Sequence, residues 1–132
     1  MAAEGDLGTT EQHFLVALEM ARQRGAGLDK EARLLAQLAE THLRAGEAVR
    51  AGNTAADAIV IARRRTDRYA ECHAAIVGGM ALAVGGRIDG PGEAAELLGE
   101  ADKLVALTGA AVFRSLLERA QLLVDTGKLL WS

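Results

Sequence analysis

Apolar residues recur at a helical period along most of this chain, and glycines interrupt them at regular points. Thr9 opens the first stretch. With Gln12 three residues on, it has the form of a capping box, in which each side chain satisfies the other's free backbone N–H. Phe14, Ala17, Leu18 and Ala21 then share one face, Arg22 and Arg24 lie near the end where the helix dipole favours cations, and Gly25-Ala26-Gly27 stops the helix. A second helix is predicted from Asp29 to Ala45, with Leu35, Leu38, Ala39, His42 and Leu43 as its stripe and Gly46 at the left-handed cap position. The third starts either near Glu47 or only after Gly52-Asn53, because each of those two residues weakens a helix interior by up to about 1 kcal/mol relative to alanine. It then runs to Arg65. Thr66 or Asp67 caps a fourth helix that continues to about Val84, and the glycine-rich stretch from Gly85 to Gly92 is read as a loop. Pro91 suits the first turn of a fifth helix, with Glu93 and Glu96 near its N-terminus and Leu97, Leu98, Ala101, Leu104 and Val105 as its stripe. After Thr108-Gly109 a sixth helix is predicted from Ala111 to Thr126. No stretch alternates with a period of two, so no sheet is expected.

The helices repeat. When the stops Gly46, Gly85 and Gly127 are aligned, a small residue lies seven positions before each: Ala39, Gly78 and Ala120. Ala51, Ala55 and Ala58 on one returning helix match Ala94, Leu98 and Ala101 on the next. The intervals, 78 − 39 = 39 and 120 − 78 = 42, are those of stacked helical hairpins.

The stretch from Leu35 to Arg63 resembles a tetratricopeptide repeat, whose small eighth, twentieth and twenty-seventh positions are Ala39, Ala51 and Ala58 here. Later units depart from that pattern: the second carries a longer loop, the third is cut after its first helix, and His42 and Ala81 stand where a tyrosine is common. The opening, Glu11-Gln12-His13-Phe14-Leu15-Val16-Ala17-Leu18-Glu19-Met20-Ala21-Arg22-Gln23-Arg24-Gly25-Ala26, resembles the repeats that follow the ATPase modules of large bacterial regulators, among them class III nucleotide cyclases and maltose-activator-like transcription factors. The resemblance implies an all-α, right-handed α-solenoid of about six helices. It divides the chain into a disordered segment over 1–8, a repeat domain over 9–127 and an apolar tail over 128–132.

Composition narrows the function. A net charge of −3 with both signs interspersed and no basic tail lowers the expectation of a nucleic-acid partner. The longest apolar run, Ala74 to Val84, is too short to span a bilayer, and the acidic start is not followed by a signal-peptide core. The single cysteine, Cys72, allows no internal disulfide, which fits a cytoplasmic protein.

Chemistry finds little support. His13, His42 and His73 fall on three different helices without the i, i+4 spacing of a chelate, so no metal is expected. Arg63-Arg64-Arg65 with Arg68 is a candidate for a phosphate but reads more simply as a solvated helix end. The Gly85–Gly92 loop has neither the lysine nor the preceding strand of a phosphate-cradling loop, and no catalytic constellation stands out, so no cofactor and no enzymatic activity are expected.

In a tetratricopeptide array the first helix of each pair lines a groove that takes peptides. Carried onto this chain, the resemblance places groove residues at Arg33, Glu40 and Arg44, at Ala75, Gly79 and Ala83 (a smooth strip at i, i+4, i+8 that equally suits packing inside the domain), and at Arg114 and Gln121. The closing helix carries Leu116, Leu117, Leu123 and Val124, and Trp131 follows in the tail. That apolar surface requires a cover, supplied either by further chain of a longer parent protein or by a homodimer contact. The expected function is a non-catalytic protein or peptide interaction or sensing module of a bacterial signalling or transcription regulator. The alternatives are a small-molecule effector domain and an accessory piece of a larger enzyme such as a nucleotide cyclase.

Overall fold

A computed structural model describes residues 12, 15–17, 19, 28–85, 90–108 and 111–126, of which 28, 29 and 90–93 are described by backbone alone. The segments assigned above to a disordered start over 1–8 and an apolar tail over 128–132 lie outside these residues. Residues 12, 15–17 and 19 are helical, and five longer helices follow: α1 (Leu28–Arg44), α2 (Ala48–Arg65), α3 (Arg68–Gly85), α4 (Gly90–Thr108) and α5 (Arg114–Thr126), the last entered through a 3-10 turn at Ala111–Phe113. The fold is all-helical, with no strand among the described residues.

Two turns of one design join the first three of these helices. After α1, Gly46 takes a positive φ of 82°, its N–H bonds to the Leu43 carbonyl at 3.0 Å, and the Glu47 N–H reaches back to His42 at 2.9 Å. This pair of bonds satisfies carbonyls that a helix end leaves free. After α2 the same pair forms, Thr66 to Arg63 and Asp67 to Ala62, with Thr66 at φ 56° in place of the usual glycine. Asp67 then caps α3 by accepting the Ala70 N–H at 3.1 Å. Of the two starts open to the third predicted helix, the earlier is adopted: α2 runs from Ala48 through Gly52 and Asn53. Of the loop predicted from Gly85 to Gly92, Gly85 belongs to α3 and residues 90–92 to α4, and residues 86–89 lie outside the described residues.

The third helix, α3, is the hub. Every residue from Cys72 to Ala81 is buried, as expected of a helix that is apolar on all sides. It packs against α1, α2, α4 and α5, while α1 also contacts α2, and α4 contacts α5. Small residues set these approaches. Ala39, Ala51, Ala55, Ala58, Ala94, Ala101 and Ala120 are all fully buried. Gly79 is tighter still: a Cβ built there would stand 3.0 Å from Leu98 Cδ2 and 3.3 Å from the Ala94 carbonyl oxygen. No described helix is long and apolar enough to cross a membrane.

Candidate functional site

The burial of α3 decides what is left for function. Of the smooth strip read as part of a groove, Ala75 and Gly79 are buried and only Ala83 is partly open. Gly79 faces Leu98 and Ala94 of α4, so the strip is filled by the chain's own returning helix instead of lying open to a partner. The closing helix is likewise covered. Leu116, Leu117 and Leu123 are buried in the main core together with Phe113, Leu98 and Val105, and Val124 packs partly against them. The argument for a homodimer through that face therefore loses its premise, and Trp131 lies outside the described residues. Arg114 and Gln121 are exposed on α5.

What the fold does assemble is a polar and aromatic band across α1, the start of α3 and the entry to α5. At one end Arg44 Nε donates to Glu40 Oε2 at 3.1 Å. The other Glu40 oxygen takes a hydrogen bond from His73 Nε2 at 2.8 Å; a carboxylate only accepts, so that ring nitrogen carries the proton. The His73 ring stacks on Phe113 with centroids 4.9 Å apart, and Phe113 meets Tyr69 at 4.6 Å. Tyr69 carries the Arg33 guanidinium over its ring at 4.8 Å, and Arg33 Nε donates to Asp67 at 3.0 Å. The predicted groove residues Arg33, Glu40 and Arg44 thus belong to one connected band, exposed at Arg33, Arg44 and Tyr69 and buried at His73 and Phe113. Tyr69, His73, Phe113 and Asp67 complete it and were not singled out for it from the sequence. Their signal was present in the pairings Arg33–Asp67 and Glu40–His73, opposite or bonding partners separated by 34 and 33 residues, close to one hairpin period.

Glu40 is the electrostatic centre of this band. The His73 hydrogen bond holds its carboxyl below the ordinary value of 4.5; burial opposes the shift, and the charges of His73 and Arg44 add to it. A carboxylate lowered in the folded state contributes stability above its unfolded pKa and loses it as pH falls through the folded one. The urea midpoint is therefore expected to drop below pH 4.5, and Glu40→Gln to shrink that acid-limb slope. Identical slopes in the two proteins between about pH 5 and pH 3 would show that Glu40 has no share in it.

The remaining chemistry is quiet. Burial, with a smaller contribution from the neighbouring Glu71 charge, pushes the Cys72 thiol up to about 11, and its Sγ lies 3.6 Å from the Ala101 carbonyl, so it is not a nucleophile at neutral pH. His42 is buried with Nδ1 3.2 Å from Glu47, and His13 lies outside the described residues. No group of three or more His, Cys, Asp or Glu is placed to hold a metal among the described residues. Arg63 is taken up structurally, bonding Glu71 on α3 and Glu100 on α4 at 3.0 Å each.

Two cavities open beside these groups. One, of about 390 Å3, lies between α2, α3 and α4, with Ile59, Val60, Leu82 and Leu97 giving it an apolar lining and Asn53 and Arg63 its polar groups. The other, of about 350 Å3, lies at the α2–α3 turn next to the Arg33–Tyr69 pair. No family model, no curated protein and no solved structure matches this chain.

Proposed function

We propose that this chain is a tetratricopeptide-like module that binds another protein through the band formed by α1, the start of α3 and the entry to α5, without catalysis of its own. The observation that carries the reading is the connected band from Arg44 to Asp67, in which the exposed Arg33, Arg44 and Tyr69 are held in place through Glu40, Asp67 and the buried His73 and Phe113. Such preorganised aromatic and arginine groups are what protein interfaces concentrate at their energetic centres. The packing order supports the repeat part of the reading: each helix from α1 onward contacts the next, and α1, α3 and α5 contact one another in succession, as the first helices of stacked hairpins do. The setting we propose, a signalling or transcription regulator or the neighbourhood of the catalytic part of a larger enzyme such as a nucleotide cyclase, draws on the resemblance of the opening stretch to repeats of bacterial ATPase-type regulators. The single, buried, unreactive thiol fits a cytoplasmic setting.

A second reading, a small-molecule effector domain, draws on the apolar cavity between α2, α3 and α4, whose volume is in the range of ligand pockets. One experiment separates the two. Random peptides selected on the immobilised chain are titrated into isotopically labelled protein, and backbone amide shifts locate the contact. Convergence on a motif that perturbs Arg33, Tyr69 and His73, and that loses binding with Tyr69→Ala, is the expected result. Failure to converge, or shifts confined to Ile59, Val60 and Leu97, would overturn the band as the partner surface.

A further inference from the structure

The cavity at the α2–α3 turn is lined by three arginines, Arg33, Arg65 and Arg68, together with Thr66, Asp67 and Tyr69. Asp67 is its single acid and is already committed. One carboxylate oxygen takes Arg33 Nε at 3.0 Å, and the other takes Arg33 Nη2 at 3.4 Å and the Ala70 N–H at 3.1 Å. Arg65 and Arg68 have no ion-pair partner among the described residues. The lining therefore carries 3 − 1 = 2 positive charges.

The bland account of these arginines, a solvated helix end, explains Arg65, which closes α2 where the dipole favours a cation. It does not explain Arg68. That residue opens α3, where the dipole is positive and a cation is disfavoured, and it shares its cavity with two further cations. An excess of two charges, held beside a hydroxyl and an arginine fixed by both Asp67 and Tyr69, fits an anion of matching charge. Guanidinium groups bond phosphate oxygens in pairs, and a phosphate monoester carries nearly two negative charges at neutral pH with three acceptor oxygens. We infer that this cavity binds a phosphoryl group in its dianionic form, with Arg65 and Arg68 as its principal ligands and Arg33 as a fixed third.

The cavity shares Arg33, Asp67 and Tyr69 with the protein-binding band, but its principal ligands, Arg65 and Arg68, are not part of that band, so substituting them tests the cavity without testing the band. The test is a titration of isotopically labelled full chain with inorganic phosphate against sodium chloride at equal ionic strength. Saturable amide shifts centred on Thr66 to Tyr69 are expected, tighter at about pH 7.5 than at about pH 5.5, on either side of the second phosphate pKa near 6. Arg65→Gln with Arg68→Gln is expected to weaken binding by roughly tenfold or more, since two charge-assisted contacts are lost. Lys103→Gln, on an exposed lysine of α4 outside the cavity lining, should leave it unchanged. A phosphoserine peptide and a sugar phosphate, each compared with its unphosphorylated form, then distinguish a modified protein from a metabolite; if neither exceeds inorganic phosphate, the free ion is the ligand. Shifts that match those of chloride, or affinity unchanged in the double variant, would overturn the site. Both arginines are exposed, so the variants retain the fold against which this is read.

Discussion

Phe113→Ala is expected to cost about 3–5 kcal/mol, the range for deleting a buried phenylalanine side chain, and to show as a large fall in the urea midpoint followed by circular dichroism. Phe113 is 6% exposed and sits in the 3-10 turn that delivers α5 to the core. Its ring lies against both His73 and Tyr69, at centroid distances of 4.9 and 4.6 Å, and such ring pairs add about 0.5–1.5 kcal/mol each beyond simple burial. Alanine would leave a cavity in the core and release His73 from one of the two groups that hold it, the other being Glu40. Since a domain of this size is stable by about 5–15 kcal/mol in total, the loss is a substantial share. A change below about 1 kcal/mol would mean that α5 does not dock through this ring. Phe113→Leu, which keeps most of the volume, should recover much of the loss without restoring the ring contacts.

Gly79→Leu is the second large expectation, here from overfilling. A bare Cβ at this position would already stand 3.0 and 3.1 Å from two Leu98 carbons and 3.3 Å from the Ala94 carbonyl oxygen, so a branched side chain has no space unless α3 and α4 separate. Overpacking of a well-filled core typically costs about 1–3 kcal/mol, and with backbone among the obstructing atoms the upper part of that range or more is expected. Gly99→Ala is the matched control. It lies on α4 itself, a Cβ there meets nothing within 4 Å, and filling it should stabilise by roughly 0.5–1 kcal/mol through helix propensity. If Gly79→Leu melts like the native chain, the close approach of α3 to α4 is wrong.

These two positions also mark where the sequence was legible and where it was not. Helices, their stops and their buried small residues are written locally: Gly46 after Arg44-Ala45, a stripe through Leu35, Leu38 and Leu43, and alanines at 51, 55 and 58 that end up fully buried. Each of these follows from a period of 3.6 residues and from caps that involve only near neighbours, so the chain's own order contains the information. The start of α2 was ambiguous because helix propensity at Gly52-Asn53 argues against a helix, and packing of Gly52 towards Ala81 overrides it.

The candidate site belongs to the other class. Arg33, Glu40 and Arg44 were reached through a repeat register, yet Ala75 and Gly79 in that same register are buried, because a register says which residues are equivalent and not whether a neighbouring helix covers them. Likewise the leucines of α5 read as an uncovered face, since a stripe announces that it must be buried but not against what. Bringing Arg33 to Tyr69 and Asp67, His73 to Glu40, and Phe113 between the two rings requires contacts over more than thirty residues. The sequence by itself determined the helices, their ends and the faces that seek a core. Only the tertiary structure decided that α3 becomes the hub and that Arg33, Arg44 and Tyr69 of the polar band and the arginine-lined cavity stay at the surface, because the choice among packing partners is made by long-range complementarity of shape and charge that no local period encodes.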